Sequence, residues 1–141
     1  MSGFPSTITG PGSQICEVNI DGSGFRVAVS IDNTPAGASQ AEALHHAYYD
    51  SDDSIVFEGD WDFNEVIARM EVGETQPEII GEFGNDNSPC VLPNGNIVSL
   101  WLARADNPAG NHELKVMNTD GTTHFVLLQQ DTADIGTGCS R

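Results

Sequence analysis

Residues 116–128 read VMNTDGTTHFVLL, and this stretch decides the fold class. Apolar residues run up to the polar tetrad at 118–121 and resume directly after it. Asp-Gly pairs between apolar runs are a strong local signal for a β-hairpin, because both residues tolerate a positive φ. The stretch therefore predicts two antiparallel strands joined by a tight turn at Asp120-Gly121.

The same arrangement recurs upstream. QICEVNI and FRVAVSI flank Asp21-Gly22, and a weaker copy places NEVIARMEV and PEIIGEF around Gly73. Gly22, Gly73 and Gly121 are 51 and 48 residues apart. Residues 25–31 alternate apolar and polar side chains, which is typical of a strand with one buried face.

A period of about 40–50 residues with four short strands per unit is typical of β-propeller blades. One blade cannot bury both of its faces alone, so stacked blades form the core together. We therefore predict an all-β fold built from blades of four antiparallel strands. A sandwich or meander with accidental spacing is the alternative.

The predicted strands follow from these runs when the strands of a blade are named A to D, from inner to outer. The first unit contains a poor B segment near 4–8, C at 14–20 and D at 25–31. The second unit contains A at 45–50, B at 54–59, C at 64–71 and D at 77–83. The third unit contains A at 88–92, B at 97–104, C at 112–118 and D at 123–129. A lone A strand remains at 134–140.

The chain thus begins with strand B and ends with strand A. We predict a single domain over 1–141, with about three blade equivalents at 1–42, 43–86 and 87–131 and a closing strand at 132–141. Three blades cannot close a ring of the usual four to eight. Two copies that exchange their last strands would form six blades around a two-fold axis, so the predicted partner is a second copy. The alternative is that the chain is a segment of a larger propeller.

SPCVLPNGNIVSLWLARADNPAGNHELKVMNTDGTTHFVLL, at 88–128, resembles the repeat of TolB-like six-bladed propellers, a PD40/WD40-like repeat. QICEVNIDGSGFRVAV resembles its second half, whereas 43–83 match poorly. The usual Ser-Pro-Asp-Gly turn is replaced by Leu-Pro-Asn-Gly at 92–95 and by Ser-Asp-Asp-Ser at 51–54. The resemblance implies a periplasmic or extracellular scaffold that binds other proteins. The same repeat also serves as the gating domain of prolyl-oligopeptidase-type enzymes and in subunits of some redox complexes.

The charge of the chain is strongly negative, with 5 Lys and Arg against 21 Asp and Glu and a net charge of −16. Such a surface repels phosphate backbones, so we expect no nucleic-acid partner and no binding to anionic membranes. No apolar run approaches the roughly 20 residues of a membrane span, and residues 1–14 lack the features of a signal peptide. The three cysteines form no CxxC pair, and an odd count leaves at least one thiol without an intrachain partner.

Motifs of catalysis are missing from the sequence. It contains no GxSxG elbow, no phosphate loop with its lysine and no HExxH motif. We therefore predict that the protein is not an enzyme, and we assign no catalytic, cofactor-binding or metal-ligating residue.

Several residues remain candidates for ligand binding. His45 and His46 lie near acidic residues, but neighbours in a strand point to opposite faces and would not easily share one ion. The turn at Asp52 and Asp53 is the place where Ca²⁺ is a possible ligand, with a purely structural turn as the alternative.

Asp60, Trp61 and Asp62 form an acidic, aromatic loop that could meet a basic partner or, through Trp61, a sugar ring. Trp101 is interpreted as blade core, and the insert at 32–44 as a helical turn. The loops at 32–42, 59–63 and 104–111 are expected to present the binding surface.

The sequence therefore predicts a non-catalytic propeller scaffold that self-assembles and binds a protein partner. A lectin-like or Ca²⁺-dependent ligand-binding propeller and the propeller part of a larger enzyme are the alternatives.

Overall fold

The computed structural model describes residues 13–39, 41–51, 54–81, 86–102, 112–122 and 125–129. Within these ranges the protein is all-β and contains no helix, so the predicted all-β class is confirmed. The ten strands in this part of the chain are β1 (Ile15–Glu17), β2 (Arg26–Val29), β3 (Ala41–Ser51), β4 (Ser54–Trp61), β5 (Asn64–Glu71), β6 (Glu78–Ile79), β7 (Asp86–Val91), β8 (Ile97–Leu102), β9 (His112–Met117) and β10 (Phe125–Gln129).

The strands form three antiparallel sheets in which neighbours along the chain pair with each other. The first sheet is the hairpin β1-β2, the second has the order β3-β4-β5-β6, and the third has the order β7-β8-β9-β10. These strands overlap those predicted between 14 and 129, although β6 is shorter than expected. The helical turn predicted at 32–44 is wrong, because β3 already begins at Ala41 and pairs with the end of β4. The strands predicted at 4–8 and 134–140 lie outside the described residues.

The turns that the sequence marked as equivalent have the same geometry in the first and third sheets. Gly22 N donates to Asn19 O at 2.8 Å, and Gly121 N donates to Asn118 O at 2.9 Å. Gly22 and Gly121 have φ values of 81° and 78°. In both turns an aspartate accepts hydrogen bonds from the hydroxyl and the N–H two residues later, at 2.6 and 2.9 Å. Only the glycine takes the positive φ, so each loop is a three-residue turn closed by glycine rather than a two-residue Asp-Gly turn.

The middle strands of the second sheet, β4 and β5, are buried on both faces. Side chains alternate along β4, so Ile55, Phe57 and Trp61 point to one side and Val56 to the other. The first group belongs to a core cluster that also contains Val29 of the first sheet. Val56 belongs to a second cluster shared with the third sheet, whose members are Val56, Ile67, Ile80, Val91, Ile97 and Met117. The three sheets are therefore stacked, with the second in the middle.

A charged pair lies inside the stack on the third sheet. Lys115 Nζ is 2.7 Å from Asp86 Oδ2, and the two side chains are 3% and 0% exposed. Ser99 Oγ donates to Asp86 Oδ1 at 3.2 Å, and the Lys115 ammonium lies 5.6 Å from the Trp101 ring centroid. Hydrogen bonds and a cation–π contact thus compensate the cost of burying these two charges.

Across the described ranges, no helix has the length and apolar character needed to cross a membrane.

Candidate functional site

The tip of the β4–β5 hairpin carries an exposed aromatic side chain in a strained conformation. Trp61 pairs with Asn64, which leaves Asp62 and Phe63 as a two-residue turn with φ values of 52° and 64°. Positive φ at both positions is the type I′ geometry, in which glycine is preferred. Phe63 is nevertheless 85% exposed. A bulky residue in this backbone region is a genuine outlier, and such outliers cluster at functional sites.

The prediction that Trp61 lies in a loop where its ring could meet a partner or a sugar is wrong. Trp61 is 0% exposed and packs edge-to-face on Phe57, with ring centroids 6.0 Å apart. Its ring also lies directly over Gly59, where an added Cβ would come within 2.2 Å of it. Glycine at this position leaves room for the indole in the core, so Phe63 is the exposed aromatic of this hairpin.

Asp62 links the hairpin tip by hydrogen bonds to the segment that precedes β3. Its carboxylate accepts hydrogen bonds from Ser39 N at 3.0 Å and Ser39 Oγ at 2.7 Å. Two parts of the chain that were predicted as separate loops, at 32–42 and 59–63, therefore meet here. Residues 59–61 belong to β4, so the second loop is shorter than predicted.

The two adjacent histidines face the same side of the second sheet. Between His45 and Tyr48 the register with β4 shifts by one residue, and His46 has a φ of 44°. This β-bulge cancels the strict alternation of the strand. As a result His45 Nε2 lies 3.7 Å from Asp60 Oδ2, while His46 Nδ1 lies 3.1 Å from Glu58 Oε2. The expectation that the two rings would point to opposite faces is wrong.

Glu58 of β4 lies near the contact between β3 and β7, which are the first strands of the second and third sheets. β7 has a bulge of its own, with Ser88 at a φ of 49°. Ser88 N donates to Glu58 Oε2 at 2.5 Å, and His46 reaches the same oxygen. Glu58 is 5% exposed, so this carboxylate is both buried and held in one orientation.

Asp60 completes a cluster of metal-ligating groups. His45 pairs directly with Glu58 across the strands and lies diagonal to Asp60. One ligand atom from each of these three residues lies within 4.8 Å of the other two. Burial raises the pKa of the Asp60 carboxyl above its ordinary value, and the nearby carboxylate of Glu65 raises it further. This corner of the sheet therefore brings several carboxylates close together.

The structure describes the remaining predicted sites only in part. Asp52 and Asp53 and the loop at 104–111 lie outside the described residues, so their binding roles remain predictions. Cys16 is exposed and free, whereas Cys90 is disulfide-bonded.

The chain matches no protein-family model, and a comparison with curated proteins finds no match either. The resemblance to TolB-like propellers therefore remains a prediction from the residues at 88–128 and 14–31.

Proposed function

We propose that the protein is a non-catalytic β-propeller scaffold that self-assembles into a six-bladed ring. The observation that supports this most strongly is the burial of the middle strands of the second sheet on both faces by its neighbours. Four-stranded meanders that stack face to face are the building principle of a propeller. The first predicted unit has no strand A of its own, so the closing strand of a second copy would complete this blade.

The third sheet carries apolar side chains that a closed ring would cover. Ile97 and Met117 of this sheet face the second sheet. Phe125 pairs with Val116, on the opposite face, and is 53% exposed. An exposed apolar group on the outer face of the stack favours association with a second copy.

Light scattering tests this proposal directly. We expect a mass of about 30 kDa, twice the 15.0 kDa of one chain. Deletion of 132–141 and the substitution Phe125→Glu should each lower the mass toward that of a monomer. The control is Phe63→Glu, which adds the same charge at the hairpin tip and should leave the mass unchanged. A parent chain that stays near 15 kDa contradicts self-assembly.

We further propose that the hairpin tip binds a protein partner. A strained and exposed Phe63 costs stability, and aromatic anchors of this kind carry much of the energy of protein interfaces. The acidic residues around it favour a partner with basic residues. We expect the parent chain to retain a partner that salt releases and that the Phe63→Ser variant does not retain. A partner that stays bound both in salt and after Phe63→Ser would contradict this role.

Two alternatives remain proposals. Retention on a glycan column, or a rise in melting temperature with Ca²⁺, would favour a lectin-like or Ca²⁺-dependent binder. Co-purification with a catalytic partner would favour a subunit of a larger enzyme.

A further inference from the structure

We propose that His45, Glu58 and Asp60 form a binding site for a divalent transition-metal ion. Their ligand atoms lie within 4.8 Å of one another. Ligands of a tetrahedral ion at 2.0–2.2 Å are separated by about 3.5 Å. The His45 side chain is 45% exposed, so its ring has room to rotate toward the two carboxylates.

The donor set selects the kind of ion. An imidazole nitrogen with two carboxylates suits Zn²⁺ or a related transition metal, whereas Ca²⁺ prefers six to eight oxygen ligands. Three protein ligands leave a fourth position of a tetrahedral ion for water or another small ligand. We therefore take Zn²⁺ as the probe and Ca²⁺ as the contrast.

The charge balance of the site favours a cation. Besides Glu58, the carboxylates of Glu42 and Glu65 act on Asp60. The described chain has three lysine or arginine side chains, and each is engaged elsewhere: Arg26 with Glu17, Arg69 with Asp50 and Lys115 with Asp86. No described Lys or Arg is paired with this cluster.

One oxygen of the cluster, Asp60 Oδ1, is buried without a hydrogen-bond partner in the described structure. The same is true of Oε1 of Glu42, whose charge acts on Asp60. An unpaired buried acceptor is costly, and a bound cation removes that cost. Such atoms point to a ligand more strongly than the acidic composition does.

The supporting contacts position one ligand in advance. Ser88 N and His46 Nδ1 both contact Glu58 Oε2, so the orientation of this carboxylate is set before an ion binds. His46 is thus a positioning residue, in the way that outer contacts orient the ligands of known metal sites. Because Ser88 belongs to β7, an ion bound to Glu58 would also strengthen the contact between the second and third sheets.

The test uses the full chain without a histidine tag, freed of metal with a chelator and titrated with Zn²⁺ by calorimetry. We expect saturable binding of one Zn²⁺ per chain and much weaker binding of Ca²⁺. His45→Ala, Glu58→Gln and Asp60→Asn should each weaken Zn²⁺ binding by at least about tenfold, and His46→Ala by about tenfold. Glu78→Gln, which removes an exposed carboxylate on β6, is the matched control and should bind like the parent.

Two further measurements keep the proposal falsifiable if Glu58→Gln fails to fold. Zn²⁺ should raise the melting temperature of the parent chain but not that of His45→Ala, whose side chain lies at the surface. Co²⁺ should produce visible absorption bands that the same variant loses. Absence of saturable Zn²⁺ binding, or binding equal in the parent, His45→Ala and Asp60→Asn, would overturn the proposal.

Discussion

Replacing Gly121 by alanine tests the stacking of the second and third sheets. A Cβ at this position would lie 2.2 Å from the carbonyl oxygen of Ile80, whereas a Cβ at Gly22 would have nothing within 4 Å. The two glycines have nearly the same φ, 78° and 81°, and the same hydrogen bonds. They therefore differ mainly in the contact that the third sheet makes with the backbone of the second.

The expected loss of stability for each variant is the sum of a backbone cost and, at Gly121, a cost for the contact with Ile80. An alanine in the left-handed region lowers the free energy of unfolding by about 1–2 kcal/mol. Alanine also reduces the conformational entropy of the unfolded chain, which raises the free energy of unfolding by about 0.4–1 kcal/mol. Gly22→Ala should thus lower the free energy of unfolding by about 1 kcal/mol. Gly121→Ala has the same cost plus about 1–3 kcal/mol for forcing the turn away from Ile80. We expect it to lose about 2–4 kcal/mol.

Urea unfolding followed by the fluorescence of the two tryptophans, Trp61 and Trp101, measures both variants at a fixed chain concentration. Gly95→Ala is a second control, since its φ is 86° and its Cβ would also meet nothing within 4 Å. If the three variants lose equal stability, the turn after β9 does not touch Ile80 and the stacking of the sheets is wrong.

Three other perturbations have defined outcomes. Lys115→Met should lower the free energy of unfolding by about 3–5 kcal/mol, because it leaves the buried Asp86 carboxylate without its cation; addition of Asp86→Asn should recover part of the loss, and strict additivity would contradict the pairing. The Thr122 hydroxyl and N–H lower the pKa of Asp120. The hydrogen-bonded carboxylate therefore stabilises the fold above the unfolded-state pKa of 3.8, and this stabilisation is lost as the pH falls through the lower folded-state pKa. Asp120→Asn should therefore reduce the urea midpoint at neutral pH but not in strong acid. Phe63→Gly should raise stability by about 0.5–1 kcal/mol, because relief of strain exceeds the added chain entropy, and a lower urea midpoint would mean that the ring packs on the fold.

Much of the local structure could be predicted because it depends on neighbours in sequence. Asp-Gly pairs between apolar runs placed the turns around Gly22 and Gly121, and alternating side chains located the strands on either side. These signals act over a few residues, so no knowledge of the rest of the fold was needed.

The candidate site was harder to predict, since its geometry depends on exceptions to local rules. A bulge with a positive φ at His46 turns two adjacent rings to the same face of the sheet. The nearest signal in sequence was the His45-His46 pair itself, and strict alternation argued against its use. Phe63 was missed because a phenylalanine in a tight turn is rarely tolerated, whereas Trp61 beside two aspartates suggested exposure.

The sequence by itself determined the all-β class, the approximate positions of the described strands and the glycine turns, because backbone φ preferences and side-chain periodicity are properties of short segments. Only the tertiary structure decided that Trp61 is buried over Gly59, that Lys115 meets Asp86, and that His45, Glu58 and Asp60 converge. These contacts join strands that are distant in sequence, and they depend on strand register and on how the sheets stack.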